Sequence, residues 1–193
     1  MSLRSVEIAI FSFNRGDNLR VCVDSILRNA PDVKFTIYDD RSDDPQTLKY
    51  LEEISHFVVT PSATDKHRHG GLYRNMNLAL ERSTHPYLMT LQDDMQLVRE
   101  FKQSDDEAIR GIFDFYPNIG FVSQLFMRGS AMRRYKRRLE PAERVRAYIS
   151  PLHERCNQKA SLAYFDCHIA NTERLKRHGW FYCDSEAANV NQA

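Results

Sequence analysis

Short apolar runs alternate with helical patterns along the first two thirds of the chain, and this alternation limits the fold more than any other feature. Runs of branched and aromatic residues predict strands at 6–13, 33–38, 57–60, 87–91 and 119–126. Between them, apolar residues spaced three and four apart predict helices at 17–29, 45–54, 72–82 and 104–116. Elements in this order form a largely parallel sheet with helices on both faces. The sequence therefore predicts an α/β fold.

The predicted helices carry residues that favour particular ends. Asp17 and Ser104 are the expected N-caps of the first and fourth helices. Asp44 is the expected N-cap of the second helix, because a proline follows it at the first helical position. A further short helix at 172–178 is expected to end at Gly179.

Residues 127–193 show less periodicity than the first part of the chain. We expect a long loop or a loosely helical insertion at 128–160, followed by a strand at 162–169 that could run antiparallel. Eight basic residues and only two glutamates lie between Arg128 and Arg146. This basic stretch is either a solvated face or a contact for anionic lipid or an acidic acceptor.

Charge and cysteine usage exclude several classes of protein. A net charge of +1 gives no global basic excess, which argues against a nucleic-acid partner. The four cysteines show no spacing suited to zinc, and we expect them to be reduced, with Cys22 in the core. No apolar run reaches the ~18 residues of a membrane span, and the N-terminus lacks a signal-peptide layout. We therefore expect a cytoplasmic protein, with peripheral contact to the inner membrane face through the basic stretch as an additional expectation.

Polar clusters follow three of the predicted strands, at 12–15, 39–42 and 92–94. Because the carboxyl ends of parallel strands meet at one edge of the sheet, these clusters should converge. The adjacent carboxylates of Asp93 and Asp94 repel each other, and a hard cation or a set of N–H and O–H donors would relieve that cost. A cation at this point could also hold phosphate groups. Taken alone, such carboxylate pairs are also typical of solvated turns.

Five segments, in this order and spacing, resemble the motifs of the family 2 glycosyltransferases of the GT-A fold. Residues 8–15 are similar to the family's first strand with its Tyr-Asn-Arg ending, and residues 39–44 to its Asp-Asp-Gly-Ser-Thr-Asp element. Residues 70–75 resemble its Ala-Arg-Asn helix, and residues 91–94 stand where its Asp-x-Asp motif falls. Residues 168–181 resemble its acceptor-side helix and Gly-x-Phe ending, so the match covers most of the chain.

The resemblance implies a GT-A fold, which has a mostly parallel, Rossmann-like sheet and a small antiparallel extension on the acceptor side. Residues 1–126 would bind the nucleotide sugar, and residues 127–193 would form the acceptor side of the same domain. The implied activity is transfer of a sugar, most simply from a UDP-linked donor, to a hydroxyl of a glycan, a lipid-linked or a small-molecule acceptor, with inversion.

The resemblance also implies roles for individual residues. Asp40 would accept a hydrogen bond from the nucleobase, Asp93 would hold ribose hydroxyls, and Asp94 would bind Mn²⁺ or Mg²⁺. Further nucleotide contacts are implied for Ser12, Asn14, Arg15 and Arg74.

Two departures from the family pattern bear on activity. Gln92 replaces the leading Asp of the Asp-x-Asp motif, while Asp94 keeps the position of the usual metal contact. The family's catalytic base follows the Gly-x-Phe ending by several residues, where Asp184 and Glu186 are the candidates, unless the base lies beyond Ala193. The alternative function is therefore a nucleotide-binding GT-A domain without a competent base. A nucleotidyltransferase is disfavoured, because no Gly-rich phosphate loop follows the first predicted strand.

Overall fold

A computed structural model describes residues 4–59, 71–123, 140–142, 147–149 and 167–182. The strands are β1 (Val6–Ser12), β2 (Phe35–Asp39), β3 (Val58–Val59), β4 (Tyr87–Gln92), β5 (Phe121–Val122), β6 (Glu140–Ala142), β7 (Ala147–Ile149) and β8 (Ile169–Asn171). The helices are α1 (Gly16–Asn29), α2 (Pro45–Glu53), α3 (Gly71–Arg82), α4 (Gln103–Phe115) and α5 (Thr172–Arg177), with a 3-10 turn at Ser55–Phe57.

Six strands form the central sheet in the order β3-β2-β1-β4-β8-β5. β1 lies at its centre and pairs in parallel with both β2 and β4, and β2 pairs in parallel with β3. β8 is antiparallel to both of its neighbours, β4 and β5. The predicted α/β class, with a mostly parallel sheet and a small antiparallel extension, is therefore confirmed.

Helices cover both faces of the sheet. Successive side chains of a strand point to opposite faces, so each strand contributes residues to both cores. All seven residues of β1 are buried, which suits a central strand covered on two sides. Ile8 and Ile10 belong to the core formed with α1, α2 and α4. Ala9 and Phe11 belong to the core formed with α3 and α5. Cys22 of α1 is fully buried in the first of these cores, as predicted.

Two of the predicted helix ends are confirmed. The Asp44 carboxylate accepts a hydrogen bond from the backbone N–H of Thr47 at 2.7 Å, so Asp44 is the N-cap of α2. Gly179 follows α5 with a φ of 65°, a left-handed conformation that favours glycine.

The other two predicted N-caps were wrong. The N-cap of α1 is Arg15, two residues before Asp17, so Asp17 lies inside the first turn, where its charge still suits the positive end of the helix. α4 begins after Lys102, and the carboxylate of Asp105, rather than Ser104, accepts the backbone N–H of Lys102 at 2.8 Å. The side chains of the observed N-caps, Arg15 and Lys102, have no acceptor atom, so capping preferences could not indicate either start.

The expectation for 128–160 was wrong for the residues that can be described. β6 and β7 form an antiparallel pair there, in place of a loop or loose helix. Most of the basic stretch and residues 162–166 of the predicted strand lie outside the described residues. In the described part of the chain, every helix is too short or too polar to cross a bilayer.

Candidate functional site at the carboxyl ends of the strands

Asp93 lies where the ends of β1 and β4 meet. Its backbone N–H donates to the Phe11 carbonyl at 3.1 Å, which extends the strand pairing by one residue. Its Oδ2 accepts hydrogen bonds from Ser12 Oγ at 3.1 Å and from the Phe13 N–H at 3.3 Å. Burial raises the pKa of Asp93, and these hydrogen bonds and the charge of Arg15 oppose that rise. Asp93 is therefore a fixed carboxylate whose Oδ1 is turned toward Arg15.

Arg15 contacts both carboxylates of the Asp93-Asp94 pair. Its Nη1 lies 3.2 Å from Asp94 Oδ2 and 3.6 Å from Asp93 Oδ1. The side chains of Arg15 and Asp94 are 53% and 49% exposed, whereas that of Asp93 is 5% exposed. One guanidinium facing two carboxylates leaves an excess of negative charge. Burial, and then the charges of Asp93 and Asp94, raise the pKa of the Cys22 thiol to about 12, so this cysteine stays protonated.

Hydrogen bonds connect the loop after β2 to the end of β1. The buried Asp39 carboxylate accepts the backbone N–H of Ser42 at 2.9 Å and its hydroxyl at 2.6 Å. Asn14 has a φ of 52°, which asparagine tolerates better than most residues. Its Oδ1 accepts the backbone N–H groups of Asp43 and Asp44 at 2.8 and 3.0 Å, and its Nδ2 donates to the Asp43 carboxylate at 2.7 Å. Asn14 thereby holds the two strand ends together.

Asp40 follows β2 and donates its backbone N–H to the Ser12 carbonyl at 2.9 Å. A Cβ atom on Gly71, the first residue of α3, would overlap the Asp40 carboxylate. This close approach requires a glycine, and it places Asp40 against the amino end of a 12-residue helix, where negative charge is favoured. Gly71 carried no predicted contact of its own, although a glycine at the start of a helix after a polar loop was the available signal.

The structure brings together most of the residues that the sequence nominated. Four of them make direct contacts with one another, namely Ser12, Arg15, Asp93 and Asp94. Asn14 and Asp40 lie beside them at the ends of β1 and β2, and Arg74 is exposed in the first turn of α3. Asp184 and Glu186, the candidate bases, lie outside the described residues.

One further polar residue near this edge carried no predicted role. Asn75 lies one turn after Gly71 in α3 and is 1% exposed. Within the described part of the chain, neither its Oδ1 nor its Nδ2 has a hydrogen-bond partner. Leaving a buried polar group unpaired costs about 1–3 kcal/mol. The family-like motif contained Asn75, but no local pattern indicated that its amide would be buried.

The donor atoms at this edge fit a divalent cation that is shared with phosphates. The described residues hold no cluster of three or more His, Cys, Asp or Glu side chains suited to a metal. Mg²⁺ and similar hard cations bound with nucleotides commonly use only one or two protein carboxylates, and the phosphates complete the coordination. Asp94, with its half-exposed carboxylate, fits that arrangement.

A cavity of about 400 Å³ lies elsewhere, between α3 and the segment that follows α5. Its lining includes Asn77, Lys176, Trp180 and Phe181, and none of the strand-end carboxylates borders it. We place the functional site at the strand ends because the charged groups and the close approach of Gly71 to Asp40 occur there.

Comparison with solved structures shows that this fold is shared with known proteins, one of which is a mannosyltransferase. The chain matches TarS residues 1–349 from S. aureus with a TM-score of 0.56 and 14% identity, covering 96% of this chain and 53% of that one. It matches mannosyltransferase PcManGT from Pyrobaculum calidifontis, in complex with GDP-Man and Mn²⁺, with a TM-score of 0.59 and 15% identity, covering 96% and 49%. TarS has also been solved with UDP and with UDP-GlcNAc. The chain thus spans about half the length of these two structures.

No curated protein matched the sequence at a significant level. The sequence model of the family described as "Glycosyl transferase family 2" matches residues 7–174, which include all but the first residue of β1, the strand-end carboxylates and the first half of α5. The chain belongs to glycosyl transferase family 2.

Proposed function

We propose that this chain transfers a sugar from a nucleotide-diphospho-sugar, most simply a UDP-linked one, to an acceptor hydroxyl, with a divalent cation and with inversion. The observation that carries the proposal is the convergence of Asp40, Asp93, Asp94 and Arg15 at one edge of the sheet, where ligands of α/β sheets bind. The nucleotides bound to TarS and PcManGT support the donor class.

Each residue would contact a different part of the donor. Asp93 already uses Oδ2 to accept from Ser12 and Phe13, so its Oδ1 is the atom that would accept a ribose hydroxyl. Asp40, held at the start of α3, would accept an N–H of the base. Arg15 and Arg74 would face the diphosphate or the base, since guanidinium groups match phosphate geometry. Ser12 and Asn14 would act mainly by orienting these groups.

Asp94 is the residue that would hold Mn²⁺ or Mg²⁺, with its half-exposed carboxylate available to the cation. When bound, the cation would neutralise the negative charge that develops on the departing diphosphate. Gln92 offers an amide oxygen at the position of the family's leading Asp, so the metal would depend on fewer carboxylates here.

The acceptor hydroxyl needs a base that removes its proton as it attacks the anomeric carbon from the side opposite the diphosphate. Asp184 and Glu186 remain the candidates for this base. The alternative function, a GT-A domain that binds nucleotide without a competent base, differs only at this step. Single-turnover transfer from a bound donor therefore separates the two functions, whereas nucleotide binding does not.

The cellular setting of this activity is also a proposal. A cytoplasmic location would give access to nucleotide sugars, and the basic residues between Arg128 and Arg146 would allow peripheral contact with anionic lipid. Sedimentation with anionic and neutral vesicles tests this contact. Equal sedimentation with both kinds of vesicle would contradict it.

Calorimetric titration of UDP in the presence of Mn²⁺ tests the donor site. We expect Asp94→Ala to weaken UDP binding in Mn²⁺ and not to weaken it without the metal. Asp114→Ala is the matched control, because Asp114 is exposed on α4 near Tyr87, at the opposite end of β4. Absence of binding at millimolar UDP, or equal binding by wild type and Asp94→Ala, would contradict the proposed site.

A further inference from the structure

Arg15 lies between the two carboxylates that are proposed to meet the donor and its cation. In the described part of the chain, Arg15 is the one cationic side chain that contacts Asp94. Its Nη1 atom makes the contacts to both Asp93 and Asp94. Arg15 and Asp94 are half exposed, so their ion pair lies at the surface of the site rather than in the core.

A divalent cation and the Arg15 guanidinium compete for the same negative charge. A cation bound to Asp94 would share a carboxylate whose Oδ2 already lies 3.2 Å from Nη1 of Arg15. The cation and Arg15 then either exclude each other or remain within a few ångströms as like charges. The two carboxylates cannot compensate three positive charges, whereas an added diphosphate can.

Arg15 is also able to leave the carboxylates. It precedes α1, its side chain is 53% exposed, and its contacts to the two carboxylates run through a single nitrogen, Nη1. A guanidinium binds phosphate at least as readily as carboxylate, because its N–H groups match both geometries. The long side chain can therefore exchange one anionic partner for another without movement of the backbone.

We propose that Arg15 is an exchangeable counter-ion that makes divalent-cation binding depend on the nucleotide. With the carboxylates alone, Arg15 neutralises Asp94 and keeps cation affinity low. The nucleotide diphosphate draws Arg15 onto its phosphates, and Asp94 is then available to the cation. This inference rests on the proposed function, and it predicts positive coupling between the nucleotide and the metal at this site.

The decisive measurement is the affinity for Mn²⁺ alone, followed by the electron paramagnetic resonance signal of free Mn²⁺. Arg15→Gln should bind Mn²⁺ about two- to fivefold more tightly than wild type, the scale expected for loss of a half-exposed ion pair. Arg15→Lys, which keeps the charge, should stay close to wild type. Arg20→Gln is the matched control, because Arg20 is an exposed arginine of α1 that pairs with Glu53 outside the site.

The same variant should affect UDP in the opposite direction. We expect Arg15→Gln to bind UDP more weakly than wild type, and to show a smaller increase in Mn²⁺ affinity when UDP is added. Linkage requires UDP to raise Mn²⁺ affinity by the factor with which Mn²⁺ raises UDP affinity, so both titrations must agree. A general loss of structure would weaken both ligands, whereas the proposal requires one to strengthen and the other to weaken.

The outcomes separate this inference from the proposed function. If wild type binds UDP with Mn²⁺ but Arg15→Gln binds Mn²⁺ alone no better than wild type, the counter-ion role is wrong and the donor site stands. The counter-ion role is equally wrong if neither protein binds Mn²⁺ measurably in the absence of UDP. If wild type binds no UDP under any condition, the proposed function fails, and tighter Mn²⁺ binding by Arg15→Gln would then show competition without nucleotide coupling, which overturns the inference as stated.

Discussion

The contact between Gly71 and Asp40 provides the sharpest test of the site. A methyl group added by Gly71→Ala would overlap the Asp40 carboxylate, so that carboxylate must rotate away from the start of α3. Gly111, in α4, is the matched control: a Cβ there meets nothing within 4 Å. The two substitutions make the same chemical change in a helix, and only one of them disturbs a strand-end carboxylate.

The expected magnitudes differ in sign as well as size. Gly111→Ala should stabilise the fold by about 1 kcal/mol through helix propensity, which raises the Tm by about 2–4 °C for a chain of this length. Gly71→Ala should instead destabilise the fold, because overpacking costs about 1–3 kcal/mol. We expect the lower end of this range, because Asp40 is half-buried and its carboxylate can turn toward solvent. Loss of the proposed hydrogen bond from the nucleobase to the Asp40 carboxylate would weaken UDP binding by a further ~1.5–3 kcal/mol, or about 10- to 150-fold in Kd.

Thermal unfolding and UDP calorimetry on the two variants measure both effects. We expect Gly71→Ala to lose UDP affinity and Gly111→Ala to keep it. Wild-type UDP affinity in Gly71→Ala would refute the assignment of Asp40 as a base contact. A stability gain in Gly71→Ala equal to that of Gly111→Ala would refute the packing argument, because it would mean that the carboxylate does not lie against the helix start.

Three further predictions concern the groups around the site and the sheet that holds it. Because burial raises the pKa of Asp93 above its ordinary 3.8, its ionisation opposes folding, and this unfavourable contribution grows as the pH rises through the folded pKa. Urea denaturation should therefore show Asp93→Asn gaining stability over wild type at neutral pH, and the gain should shrink toward pH 3.8; equal stability at both would contradict this. Asn14→Ala should lower the free energy of unfolding by about 3 kcal/mol, with about 1 kcal/mol from its positive φ and the rest from three lost hydrogen bonds. Asn14→Gly should recover about that 1 kcal/mol in the same assay. Equal losses in the two variants would exclude backbone strain. Arg174 donates to the carbonyls of Phe113, Tyr116 and Ile119 near the end of α4, so Arg174→Lys should lose about 1–3 kcal/mol, while the exposed Arg177→Lys should change little.

The sequence predicted the parts of the fold that depend on local periodicity. Residues 8–11 of β1 form a continuous apolar run because both faces of the strand are covered, and that pattern is available without knowledge of its neighbours. The placement of β8 between β4 and β5 is different, because it depends on pairing Met89 with Ile169 across a long stretch of chain. The N-caps of α1 and α4 failed for a third reason. The observed N-caps, Arg15 and Lys102, have no side-chain acceptor, so local capping preferences favoured neighbouring residues instead.

The site itself divides in the same way. Strand order alone predicted that the carboxylates of β2 and β4 would meet at one edge, since parallel strands end together. The contacts that stabilise this edge could not be predicted, because they join distant parts of the chain. Asn14 binds residues about thirty positions away, and α2 and β3 separate Gly71 from Asp40 in the sequence. Such contacts produce no periodic pattern in the sequence. The only local indication is an isolated glycine or asparagine, and both residues are common in ordinary turns.

The Asp93-Asp94 pair shows why a repulsive motif does not by itself identify a metal. The sequence required something to relieve two adjacent carboxylates, and the structure provides donors from Ser12 and Phe13 to one of them and Arg15 to both. Arg15 lies 79 residues from Asp94 in the chain, so the motif contains no information about it. The two carboxylates consequently differ in kind. Asp93 is buried and fixed by the protein, whereas Asp94 is half exposed and paired with the half-exposed guanidinium of Arg15, an arrangement that the counter-ion role proposed for Arg15 requires.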